Sequence, residues 1–176
     1  GFEIVDCDAL YYHLLRTDGE LRQKLANAFG PVFLPDGELN RRALAGRVFS
    51  DKKELDKLNA IVFPAMSAAV EQKIRKCSQK GLVIDAVNLI ESGMGELCAA
   101  TVAVTAPPAL RLKRIMARDG LPEAQAQARI QAQKPDCWYG RHCTFLLENQ
   151  LEDRAACREH MRGFFQNLLD TIVEGD

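Results

Sequence analysis

Residues 100–121 read A-T-V-A-V-T-A-P-P-A-L-R-L-K-R-I-M-A-R-D-G-L. Ala100 to Thr105 is a short, mostly apolar, β-branched run and predicts a strand. Pro107 and Pro108 open a helix, because proline's missing N–H and fixed φ cost nothing in a first turn. Gly120 closes that helix. A strand delivered straight into a helix is the unit of a parallel α/β sheet. Arg111, Arg114 and Arg118 recur at spacings of three and four and share one broad face, with Lys113 beside them. Leu110, Leu112, Ile115 and Met116 provide the anchoring surface. Taken alone, such a helix is a solvated charged face. Placed after a sheet strand, it also suits a polyphosphate, since arginine offers a permanently charged planar fork that lysine lacks.

The pattern repeats outward. Phe2 to Val5 predicts a buried strand ending at Asp6-Cys7-Asp8, and Leu82 to Ala86 a second, with Asp85 near its end. Helices are expected over Ala9–Leu15, Glu20–Phe29 and Arg41–Phe49. A long one starts at Asp51 with Ser50 as cap, is interrupted or kinked at Pro64, and runs to about Lys80. Beyond Gly120, a helix is expected from Pro122 to Gln133, a strand over Phe145–Leu147 and an amphipathic helix over Leu151–Val173. Some seventy residues between the first two strands exceed what a crossover requires, so residues 9–80 predict a helical substrate-binding insertion.

The chain has 176 residues, 47% hydrophobic and 27% charged, with a net charge of −1. That is the composition of an ordinary globular protein with room for a core. It argues against a general nucleic-acid binder or an anionic-membrane binder. No apolar run approaches the roughly 18 residues of a membrane span. The start, Gly1-Phe2-Glu3-Ile4-Val5-Asp6, lacks the basic segment of a secretory signal and has no Met, so the expectation is a chain missing its natural start. Cys7, Cys77, Cys98, Cys137, Cys143 and Cys157 show no framework spacing and read as free thiols in a reducing cytoplasm. Cys137, His142, Cys143, Cys157 and His160 lack the paired C-x-x-C of a structural zinc site, and none is expected.

In open parallel sheets, ligands gather at the carboxyl ends of the strands. Asp6, Asp8 and Asp85 fall there. Each aspartate alone is most often a cap or turn former. Together with the arginine helix they form a more specific set: carboxylates to bind a metal or accept a hydroxyl proton, and arginines to stabilise a transferring phosphoryl group. Against this, no G-x-x-x-x-G-K-[ST] loop occurs in the chain.

These residues, in this order, resemble dephospho-coenzyme A kinase, a family with the P-loop kinase fold. Asp6-Cys7-Asp8 matches its D-A-D. Leu34-Pro35-Asp36-Gly37-Glu38-Leu39-Asn40-Arg41-Arg42-Ala43-Leu44 matches its P-D-G-x-L-D-R-x-x-L, followed in register by Val48-Phe49. Leu89-Ile90-Glu91-Ser92-Gly93 resembles L-F-E-S-G. Arg118-Asp119-Gly120, Arg129-Ile130 and Gln133 resemble the lid signature, and Glu148-Asn149 falls where the family ends a strand in Asn.

The resemblance implies a P-loop-kinase-like three-layer α/β domain with a parallel sheet. Its core would be residues 1–8, 82–118 and 144–176, with the insertion at about 9–80, a helical lid at about 119–140, and the central P-loop strand absent from the chain. It implies ATP-dependent phosphorylation of the ribose 3′-hydroxyl of dephospho-coenzyme A in the cytoplasm, with ATP and Mg²⁺ and no nucleic-acid or membrane partner. Asp8 would accept or orient the hydroxyl proton, and Arg118 would act on the transferring phosphate. Arg114, Arg118, Arg129, Gln133 and Asn149 would bind ATP, while Asp6, Asp8, Arg41, Leu89, Ile90 and Glu91 would line the acceptor side. Asp85 would hold magnesium, directly or through water.

The chain departs from the family at Phe63-Pro64 (usually His-Pro), at Val87 and Asn88, and at His142-Cys143. The alternatives are another small-molecule kinase of the same fold, and a non-catalytic module that keeps the acceptor pocket.

Overall fold

The computed structural model describes residues 1–48 and 51–173. The chain divides into two units, Gly1–Leu97 and Cys98–Asp176. In the first, β1 (Glu3–Asp6) leads directly into α1 (Cys7–Thr17). The junction is set by Asp6, whose carboxylate accepts the Ala9 N–H at 2.9 Å and caps the helix. Asp18 does the same for α2 (Gly19–Phe29), accepting from Leu21 N at 2.9 Å. Gly30, at φ 72°, ends α2 in a backbone conformation that a side chain would resist.

After α3 (Arg41–Val48) comes α4 (Lys52–Lys76), then β2 (Leu82–Asp85) and a 3-10 turn at Met94–Leu97. The expected Phe49 end of α3 and the expected Ser50 cap lie outside the described residues. Asp51 caps α4 by accepting from Lys53 N at 2.8 Å. The helix continues through Pro64, which removes one ladder donor without ending it. It stops at Lys76 instead of reaching Lys80, because Cys77 turns extended and gives its N–H to Ile74 O.

β1 and β2 pair in parallel with Glu3 opposite Leu82 and Asp6 opposite Asp85. Leu21, Leu25 and Phe29, spaced by four, form the buried face of α2 and pack with Leu15, Val32, Leu44 and Val48. A second cluster, Val5, Cys7, Leu10, Met66, Val70 and Met94, joins β1, α1 and α4. Through Val5, Cys7 and Leu10 it fixes the β1–α1 junction, and so the placement of Asp6 and Asp8.

The second unit opens with β3 (Val102–Thr105) and α5 (Pro108–Asp119), the strand and helix read from residues 100–121. Then follow α6 (Glu123–Gln131), α7 (Asp136–His142), β4 (Phe145–Glu148) and α8 (Arg154–Val173). β3 and β4 are parallel, with Val102 opposite Phe145 and Thr105 opposite Glu148. Just before the two strands, Thr101 and Thr144 exchange bonds. Each backbone N–H donates to the other's hydroxyl, at 3.1 and 2.9 Å, which pins the register.

The half-buried Arg111 donates from Nη2 to Ala106 O at 2.9 Å and to both oxygens of Asp136 at 2.9 and 3.0 Å, tying α5 to the end of β3 and to α7. α7 is an element the sequence does not announce. Its Trp138 and His142, one turn apart, stack at 4.1 Å.

Candidate active site

The residues singled out from the sequence fall in both units. In the first, Asp6 and Asp85 sit side by side at the carboxyl ends of β1 and β2, as paired positions of the parallel register. Asp8 follows in the first turn of α1, exposed, where a carboxylate is favoured by the helix N-terminus. Leu89, Ile90 and Glu91 lie in the turn after β2. Ser92 closes that turn with its hydroxyl on Leu89 O at 3.1 Å, and Gly93 adopts φ 79°.

Arg41, at the start of α3, lays its guanidinium over the Tyr12 ring at 4.0 Å. A stacked guanidinium keeps its N–H edge free for a ligand. Burial, first, and then the neighbouring Tyr12 push Tyr11 above the ordinary tyrosine pKa, against an opposing pull from Arg41. Tyr12 is not among the residues the sequence nominates. Its position one turn beyond Asp8 is readable there, but its partner is not.

In the second unit, two arginine groups form on α5. Arg114 donates to Asn149 O and Asn149 Oδ1, both at 3.3 Å, and to Leu151 O at 2.6 Å. Cys157 of α8 also donates to Asn149 Oδ1, at 3.3 Å. The amide oxygen of Asn149 is therefore occupied from two sides, while its NH₂ donates to no group among the described residues.

The second group sits at the end of α5. Arg118 grips Asp119 through Nε on Oδ1 at 2.7 Å and Nη2 on Oδ2 at 3.0 Å, and Arg129 of α6 reaches Asp119 Oδ2 at 2.6 Å. The hydrogen bond from Arg118, then the charges of both arginines, hold the Asp119 carboxyl below the usual carboxylate range. Asp119 in turn holds the Arg118 guanidinium above its ordinary value. Among the described residues the two arginine groups share no partner. Gln133 is exposed beyond α6, and its side chain makes no hydrogen bond among the described residues.

Parallel strands that end in carboxylates in the first unit, and a helix that presents arginines in the second, are parts that a phosphotransferase-type α/β domain uses. The family model for dephospho-CoA kinase (CoaE) matches residues 1–153. A dephospho-CoA kinase of Moorella thermoacetica is 35% identical over 173 residues, covering 96% of this chain and 81% of that protein. One of Anaeromyxobacter dehalogenans is 35% identical over 179 residues, covering 99% and 82%. Among solved structures, TT1252 from Thermus thermophilus aligns with a TM-score of 0.75 at 28% identity, over 96% of this chain and 85% of that one. The dephospho-CoA kinase from Campylobacter jejuni aligns at 0.65 and 22% identity over the same shares, a likeness of fold. The chain belongs to the dephospho-CoA kinase family, and its fold is that of the P-loop kinases.

Proposed function

We propose that this chain transfers the γ-phosphoryl group of ATP to the ribose 3′-hydroxyl of dephospho-coenzyme A, completing coenzyme A in the cytoplasm. The observation that carries the reading is the family match over residues 1–153, which takes in both the Asp6–Asp8 strand end and the arginines of α5 and α6. In the reaction, the acceptor oxygen forms a bond to the γ-phosphorus as the bond to the bridging β,γ-oxygen breaks and ADP leaves.

Asp8 takes or orients the hydroxyl proton, a role that suits an exposed carboxylate in the first turn of α1, two residues past the end of β1. Asp6, Arg41, Leu89, Ile90 and Glu91 line the acceptor side, with the stacked Arg41 offering its free N–H edge to an acceptor phosphate. Arg118 stabilises the charge on the transferring group. Arg114 and Asn149 hold the nucleotide, and Arg129 and Gln133 belong to a lid that excludes water.

Asp85, beside Asp6, fits a magnesium ion bound directly or through water, since that ion takes one or two carboxylates and completes its shell with water and substrate phosphates. Bound there, it would neutralise phosphate charge. Among the described residues no helix is long and apolar enough to cross a membrane.

The test is an ADP-release assay with dephospho-coenzyme A set against a panel of nucleosides, nucleotides and small alcohols. The proposal expects turnover with dephospho-coenzyme A to exceed every other acceptor by at least a hundredfold. Equal or greater turnover with a nucleoside monophosphate would assign the chain to another small-molecule kinase.

A further inference from the structure

We infer that Asp119 is a positioning residue that joins Arg118 and Arg129 into one two-guanidinium clamp for the triphosphate of ATP. The inference rests on the reading of those arginines as ATP ligands. Asp119, Arg118 and Arg129 all lie in the second unit.

Gly120, at φ 65°, ends α5 one residue after Asp119 and turns the chain so that α6 brings Arg129 back to the same carboxylate. The three contacts are 2.6, 2.7 and 3.0 Å, short charge-assisted bonds. The exposures separate the roles. The Asp119 side chain is 21% exposed, whereas those of Arg118 and Arg129 are 74% and 57% exposed. On this exposed stretch the carboxylate is shielded by its two partners, whose guanidinium groups stay open to solvent.

Arg118 turns its Nε edge to Asp119 and keeps its Nη1 end free, and Arg129 keeps Nε and Nη2. Among the described residues neither donates to any other group. Two cations brought this close repel unless an anion lies between them. Without Asp119, two long, exposed side chains would lose their common anchor and their fixed geometry. Binding ATP would then carry the cost of ordering both.

A rival reading makes Asp119 an internal competitor that occupies the phosphate fork. The two readings predict opposite signs. The experiment uses the full-length protein with Asp119→Asn and Asp119→Glu. ATP is titrated calorimetrically without acceptor, and initial rates are measured with ATP and dephospho-coenzyme A varied separately. The Nε–H signal of Arg118 is followed by NMR.

Asp119→Asn keeps the size but loses the charge. It is expected to weaken ATP binding by on the order of 10-fold, to raise KM for ATP in step, and to leave KM for dephospho-coenzyme A unchanged. The Arg118 Nε–H signal should move toward that of free arginine. Asp119→Glu should recover most of the affinity. ATP binding by Asp119→Asn that equals or exceeds that of the unmodified protein would overturn the inference. So would a parallel rise in both KM values with a lowered Tm, which would mark a merely structural role. Because ATP binding is read without acceptor, the two ideas fail separately. A protein that bound ATP yet failed to phosphorylate dephospho-coenzyme A would overturn the proposed reaction, while the Asp119 variants would still show whether the clamp exists.

Discussion

Arg118→Lys separates chemistry from stability. Arg118 holds Asp119 with two nitrogens, Nε at 2.7 Å and Nη2 at 3.0 Å, while its remaining N–H groups face outward. Lysine keeps the charge but concentrates it on one nitrogen. It cannot grip Asp119 and a phosphoryl oxygen in a shared plane. The structural loss is small, because the side chain is 74% exposed and water screens such a surface pair. The catalytic loss is large if Arg118 meets the transferring group. An arginine in that role contributes roughly 10³-fold or more in related phosphoryl transfers, about 4 kcal/mol of transition-state stabilisation.

The expected result is therefore a Tm close to that of the unmodified protein and a kcat lowered by about three orders of magnitude. Differential scanning calorimetry and ADP release at saturating dephospho-coenzyme A measure the two. A kcat within a few-fold of the unmodified value would refute the argument and leave Arg118 a solvated charge.

Three further expectations follow from the packing and the titration. Leu25 is fully buried on the inner face of α2, so Leu25→Ala should cost about 2–5 kcal/mol in denaturant unfolding; a cost below about 1 kcal/mol would contradict the assigned core. Arg111→Ala removes the donor shared by Ala106 O and Asp136 and should cost about 1–3 kcal/mol, more than Asp136→Ala, after which Arg111 still serves Ala106; the reverse order by calorimetry would contradict that geometry. Tyr11 is raised in the folded protein, so its contribution to stability is complete below the unfolded tyrosine value, near pH ~10, and is lost as pH rises through the folded value. Tyr11→Phe should flatten the fall in unfolding free energy above that pH, and an unchanged slope would count against the burial argument.

Local signals carry most of the secondary structure. Pro107, Pro108 and Gly120 bound α5 as expected, and the spacing of Leu21, Leu25 and Phe29 marks the buried face of α2. The runs Ala100–Thr105 and Leu82–Ala86 overstate their strands by a residue or two because they continue where pairing does not, whereas Phe2–Val5 and Phe145–Leu147 each stop one short, because the paired acids Asp6 and Glu148 carry no apolar signal. α7 is invisible in the sequence because seven residues hold too few turns to show a period, and its Trp138–His142 stack pairs residues that are not both hydrophobic.

The site residues are legible by type and order, but their partners depend on tertiary contacts. Asp119 stands within R-D-G, yet its bond to Arg129, ten residues on, exists only through the turn at Gly120. Likewise nothing in the chain's order joins Cys157 to Asn149, or Arg41 to Tyr12.

The most direct measurement of the central claim is the identity of the product. The full-length protein is incubated with ATP, Mg²⁺ and dephospho-coenzyme A, and the product is characterised by mass spectrometry and phosphorus NMR, beside the Asp8→Asn variant. The account predicts one added phosphoryl group, on the ribose 3′-oxygen, formed at least about 100-fold more slowly by Asp8→Asn, as befits loss of a proton acceptor. No phosphorylated product, a phosphate on any other oxygen, or an Asp8→Asn variant as fast as the unmodified protein would contradict it.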